Sequence, residues 1–111
     1  MKVFYFTKID SAEEVMDCGI KLNQYFEREI TVNEFKKRFL LTYLHPADST
    51  KFYDDTYKAV KIKAPDDTSY IAEGALYDEE NMSLYESSLV PIREYRLGTY
   101  RKPECLIQCT L

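Results

Sequence analysis

The residue most able to do chemistry in this chain of 111 amino acids is Glu104. It opens the closing segment Pro103-Glu104-Cys105-Leu106-Ile107-Gln108-Cys109-Thr110-Leu111, which follows a proline stop and reads as a strand. Strand alternation puts Cys105, Ile107, Cys109 and Leu111 on one face and Glu104, Leu106, Gln108 and Thr110 on the other. The first set suits a core. The second places a carboxylate at the mouth of a strand, facing a cleft.

Other chemistries find little to work with. His45 is the single histidine, stands before Pro46 and reads as a turn residue. A nucleophile-His system would have to use it, and no nucleophile-elbow pattern accompanies it. Cys18, Cys105 and Cys109 show no CxxC pairing, so a zinc site is not expected. Cys105 and Cys109 lie too far apart along an extended segment to bridge each other. They read as reduced, buried thiols of a cytoplasmic protein. No glycine-rich phosphate loop is present.

The elements that must position Glu104 follow from pattern. Val3–Thr7 is β-branched and aromatic and predicts a first strand, with Phe4 and Phe6 on one face and Val3, Tyr5 and Thr7 on the other. Ser11 with Glu14 makes a capping box, and Gly19 supplies a stop, so a capped N-terminal helix is expected between them. Asn23–Ile30 reads as irregular. Thr31 with Glu34 makes a second capping box. From it either one helix runs from Val32 to Tyr43, or a short helix precedes a buried strand Phe39–Leu44. The apolar content and Pro46 favour the strand. Asp48 or Ser49 caps a short helix through Tyr53. Tyr57–Lys63 is a strand with Val60 and Ile62 inward and Lys61 and Lys63 outward. The turn Pro65–Ser69 joins it to Tyr70–Ala72 as a hairpin, ended by Gly74. Leu84–Val90 reads as extended and Pro91–Tyr95 as a helical turn ending near Gly98. The expected class is α+β: one domain over residues 1–111, with a small mixed or antiparallel sheet, a capped N-terminal helix and one or two short helices.

Taken in order, these pieces resemble the ADP-ribosyltransferase superfamily, near its DNA-modifying toxins and RNA 2′-phosphotransferases. The resemblance rests on three stretches. An aromatic strand ends in Thr7 and runs into a helix closed by Cys18-Gly19-Ile20-Lys21-Leu22. Tyr43-Leu44-His45-Pro46-Ala47-Asp48 leads from strand to helix start. Pro103-Glu104-Cys105-Leu106-Ile107 is the late acidic strand. What the resemblance implies is NAD as cofactor; the scattered cysteines and single histidine lead to no metal being expected. Tyr5 then occupies the slot where the family has His or Arg against the ribose, with Thr7 after it and Tyr43 in the second-motif strand. Glu104 matches the acid that stabilises positive charge developing at a sugar carbon. Tyr5 in place of His or Arg is a departure from the family pattern.

Two other classes of function stay open on the sequence. One is a non-catalytic interaction module with a tyrosine-lined cleft for a nucleotide, NAD-derived or protein ligand. The ten tyrosines make such a rim available. The other is a homodimer that pairs through the apolar final strand. The net charge of −4 gives no indication of a nucleic-acid partner, and Lys36-Lys37-Arg38 and Lys58/Lys61/Lys63 read as solvated faces. No stretch reaches transmembrane length, so a membrane partner is not expected.

Overall fold

A computed structural model describes residues 2–8, 28–32 and 34–108. Among these residues seven strands form one curled, half-barrel sheet: β1 (Lys2–Lys8), β2 (Arg28–Val32), β3 (Phe35–Tyr43), β4 (Tyr57–Lys63), β5 (Ser69–Glu73), β6 (Val90–Pro91) and β7 (Pro103–Gln108). The order is β4-β1-β3-β7-β5-β6, with β2 also on β3, and every pairing is antiparallel.

β3 organises the sheet. Its first half pairs with β2, from Val32↔Phe35 to Arg28↔Phe39. Its second half pairs with β7, from Phe39↔Gln108 to Tyr43↔Glu104, and its last residue also meets β1 at Phe4↔Tyr43. β5 lies on the far side of β7, with Ala72 opposite Glu104. The final strand is therefore central, hydrogen-bonded on both sides, and not an edge open to a second copy.

Alternation along β3, β5 and β7 feeds two cores, one on each face. Val3, Leu40, Leu44, Ile71, Ile92, Cys105 and Ile107 pack on one side. Ile30, Phe39, Ala72, Tyr85 and Leu106 pack on the other. Such double-sided burial explains why β7 reads as a nearly continuous apolar run.

The expected α+β class is corrected. Among the described residues the chain is predominantly antiparallel sheet, and its one α-helix, α1 (Ser83–Ser87), has five residues. The capped helix expected after Ser11 lies outside the described residues. The second capping box is overridden: Thr31 pairs with Lys36 in a hairpin, and Glu34 sits in its turn at φ 71. Non-local pairing of alternating apolar residues outweighs a local cap pattern. The strand reading of residues 39–43 holds, while Arg28, Glu29 and Ile30, expected to be irregular, belong to β2. β5 does form where expected, but it pairs with β7 and β6 and makes no hairpin with β4. Leu84, expected in an extended piece, lies in α1, whose start is fixed by Asn81 accepting from the Ser83 N–H. Pro46–Asp48 and Thr50–Tyr53 are 3-10 helices, the second capped by the Ser49 hydroxyl. No helix among the described residues is long and apolar enough to cross a membrane.

Candidate functional site

Glu104 is the second residue of β7 and is 8% exposed. Its carboxylate turns toward the face that carries Leu106 and Tyr43. Oε1 accepts the Tyr85 hydroxyl at 2.7 Å and Arg28 Nη1 at 3.2 Å. The same Nη1 donates to Tyr85 Oη at 2.9 Å, closing a triangle of three side chains. Arg28 comes from β2, Tyr85 from α1 and Glu104 from β7, so the triangle ties three separate segments together. Burial of a charged pair is tolerable here because each charge keeps its partner and a hydrogen-bonded hydroxyl beside it.

Two further features lock the group. Arg28 Cζ stands 3.9 Å from the centre of the Tyr77 ring, and Tyr77 meets Tyr85 edge-on at 5.1 Å. A guanidinium over a tyrosine face gains electrostatic attraction from the ring quadrupole. Beneath the carboxylate lies the backbone of Gly74, whose N–H donates to the Lys102 carbonyl at 2.8 Å. The loop ahead of β7 is clamped by Glu73, whose carboxylate accepts the backbone N–H groups of Arg101 at 2.8 Å, Lys102 at 3.0 Å and Ala75 at 3.2 Å. Burial alone would raise the Glu73 pKa, but these N–H groups outweigh it and hold the carboxyl below its ordinary range.

The phenols respond to the same surroundings. Burial, then the adjoining Glu104 carboxylate, push Tyr85 well above the usual tyrosine range. The same two causes, in the same order, raise Tyr43. Tyr85 is therefore a fixed hydrogen-bond donor. On the opposite face burial pushes the Cys105 thiol up to about 11, which keeps it protonated and unreactive.

Beside the triangle opens a cleft of about 460 Å³, lined by Arg28, Glu29, Leu41, Tyr77, Glu79 and Met82. It offers an apolar floor, two carboxylates that accept hydrogen bonds, and one guanidinium that donates them.

Of the four residues singled out from sequence, the structure brings Glu104 and Tyr43 together as directly opposed neighbours on β7 and β3. Tyr5 and Thr7 do not join them. They project from β1 toward the other face, where Tyr5 packs against the core that contains Val3 and Leu40. Phe4 and Phe6 share the face of Glu104 instead, and Phe6 meets Tyr43 edge-on at 6.0 Å. The NAD-binding set implied by the resemblance is thus divided between the two faces of the sheet. Exposed His45 begins the turn at Pro46, two residues beyond Tyr43, the partner of Glu104.

Arg28, Tyr77 and Tyr85 were not singled out by sequence. Tyr77 and Tyr85 carry no local pattern that ties them to Glu104. Arg28 has one: Arg28, Ile30 and Val32 alternate as a strand, which sets a lone arginine on an apolar face. Among the described residues no group of three His, Cys, Asp or Glu side chains could hold a metal ion. Comparison of the chain with family models, curated proteins and solved structures yields no match.

Proposed function

We propose that this chain is a binding domain for a nucleoside-sized ligand, NAD-derived molecules included, held in the cleft beside Arg28 and Tyr77. The observation that carries the reading is the preorganisation of Arg28. Glu104, Tyr85 and Tyr77 hold its guanidinium at the cleft wall before any ligand arrives, so little side-chain entropy remains to be lost on binding. Leu41 and Met82 offer a surface for a flat ring, and thioether–aromatic contact is favourable. Glu29 and Glu79 suit ribose hydroxyls or an exocyclic amine. The volume falls in the range of small-molecule sites. In this reading Glu104 positions Arg28 and does no bond chemistry, because its Oε1 is already engaged by a cation and a phenol.

A second reading is ADP-ribosyl transfer from NAD with Glu104 as the acid. The register pairing of Glu104 with Tyr43 favours it, since the resemblance implies both residues at one site.

Thermal unfolding with and without millimolar NAD, ADP-ribose and adenosine separates these readings. A ligand that binds only the folded state raises the midpoint by mass action. The binding reading expects a shift with at least one of the three, abolished in Met82→Asp. No shift with any of them overturns it. Release of nicotinamide from NAD by the wild type, absent in Glu104→Gln, would establish the second reading.

A further inference from the structure

On the face shared with Glu104, but at the β1/β4 end of the sheet, lies a second surface. Register places Lys2 opposite Lys63, Phe4 opposite Lys61, and Lys8 opposite Tyr57. All four lysines are exposed. They form a stripe about 20 Å long, at the usual rise per strand residue. Like charges directly opposed across two strands destabilise the pairing. Among the described residues the Arg28–Glu104 pair is the one ion pair, so none there relieves the stripe. A chain with a net charge of −4 has gathered positive charge on one patch.

The neighbouring 3-10 helix Thr50–Tyr53 packs on β4 and extends the stripe with a fifth lysine, Lys51, which lies 4.9 Å from the Tyr57 ring centre. Beside it Phe52 and Tyr53 project into solvent at 46% and 78% exposure, packed edge-to-face at 5.0 Å. Phe52 and Tyr53 belong to neither of the two cores. An exposed aromatic pair at the end of a lysine stripe joins the two elements of peripheral membrane attachment, cationic attraction and interfacial ring insertion.

We infer that the β1/β4 lysine stripe and the Phe52–Tyr53 pair dock this domain on an anionic lipid surface. The rings of the sheet distinguish lipid from single-stranded nucleic acid. Base stacking needs open ring faces, but Lys61 lies over Phe4 at 5.9 Å and Lys51 over Tyr57. The rings left open stand perpendicular to each other at the tip, as wedges and not as a platform. Acidic neighbours bound the patch. Asp54 is turned into its own loop by the Thr56 N–H and hydroxyl, Asp55 is next to it, and Asp66 and Asp67 lie in the turn beyond β4.

Co-sedimentation with vesicles tests the inference. Vesicles of phosphatidylcholine with about 30 mol % phosphatidylserine should bind the protein, and pure phosphatidylcholine vesicles should bind it far less. Partitioning should fall by about tenfold or more between about 50 mM and 500 mM salt. Lys61→Glu/Lys63→Glu, two exposed edge-strand positions, should lower it by a similar factor or more, given about fivefold per lysine. Phe52→Ser/Tyr53→Ser, checked for fold by circular dichroism, should remove what survives at high salt. Equal binding to the two vesicle types, or binding indifferent to the lysine reversals, overturns the proposal. So does tighter binding of a labelled single-stranded oligonucleotide that is lost in the same lysine variant. The cleft beside Arg28 plays no part in these outcomes.

Discussion

Gly74 and Glu104 are in contact across the start of β7: a Cβ at position 74 would stand 2.8 Å from Glu104 Oε2 and 2.9 Å from its Cγ and Cδ. Because Glu104 is itself pinned to Tyr85 and Arg28, it cannot swing away freely. Gly74→Ala should therefore destabilise the fold by about 1–3 kcal/mol, the range for overpacking. Denaturant unfolding of a double-mutant cycle checks the cause. In a Glu104→Ala background the same glycine change should cost clearly less, giving a coupling of about 1 kcal/mol. An additive cycle would place the strain elsewhere.

Removing the carboxylate differs from neutralising it. Glu104→Ala leaves the Arg28 guanidinium, with 14% of its side chain exposed, without its counter-ion. About 2–4 kcal/mol of stability should go, at the lower side of values for broken buried pairs because some exposure remains. Glu104→Gln keeps an acceptor for the Tyr85 hydroxyl and should cost about half as much. The double replacement Arg28→Met/Glu104→Gln should recover part of the loss, since no unpaired charge remains. If Arg28→Met worsens Glu104→Gln, Arg28 matters for packing and not for charge.

The division between what could be read from sequence and what could not follows the range of the interactions. Alternation showed β1, β4 and β7 and placed Glu104 on a face apart from Cys105, because a period of two is a property of neighbouring residues. It also set Tyr5 and Thr7 on one face of β1 and Phe4 and Phe6 on the other. What it lacked was the neighbour of β1. The pairing Phe4↔Tyr43 decides which of those two faces meets Glu104, and it spans most of the first half of the chain. Arg28 and Glu104 are separated by 76 residues, and nothing in either neighbourhood specifies the other. The capping boxes failed for the opposite reason. Thr31 and Glu34 satisfy a local helix signal, yet Ile30 and Phe39 bury fully only when the segment folds back as a hairpin.

Glu73 makes the approach to the site sensitive to acid. Its folded pKa lies below the ordinary value of 4.5, because three backbone N–H groups bond its charged form and outweigh burial. A depressed carboxyl adds stability that is complete above the unfolded pKa and is lost as pH falls through the folded one. Wild-type stability should thus decline as pH drops below 4.5, and Glu73→Gln should flatten that limb while lowering stability at neutral pH by about 1 kcal/mol. Urea midpoints measured between neutral pH and the acid limb check this. A Glu73→Gln curve parallel to the wild type would show that other carboxyls set the acid response.

Tyr85 should govern the alkaline side. Its phenol pKa is raised above 10.0 in the fold by burial and by the Glu104 carboxylate, whereas the unfolded chain ionises it near 10.0. A group with a raised folded pKa contributes stability that is fully present below its unfolded pKa. As pH climbs past 10.0 the unfolded state releases the proton and the folded state does not, so stability falls with each further step. Tyr43 and Tyr100, also raised by burial, add to the same slope. Tyr85→Phe should cost about 1–2 kcal/mol at neutral pH through the lost bonds to Glu104 and Arg28. It should nonetheless lose stability less steeply above pH 10.0 than the wild type. Phenolate absorbance followed beside circular dichroism gives the test. In the wild type one tyrosine more than in Tyr85→Phe should ionise only in step with unfolding. Ionisation of that extra tyrosine in the folded protein would mean that the hydroxyl is not held by the carboxylate.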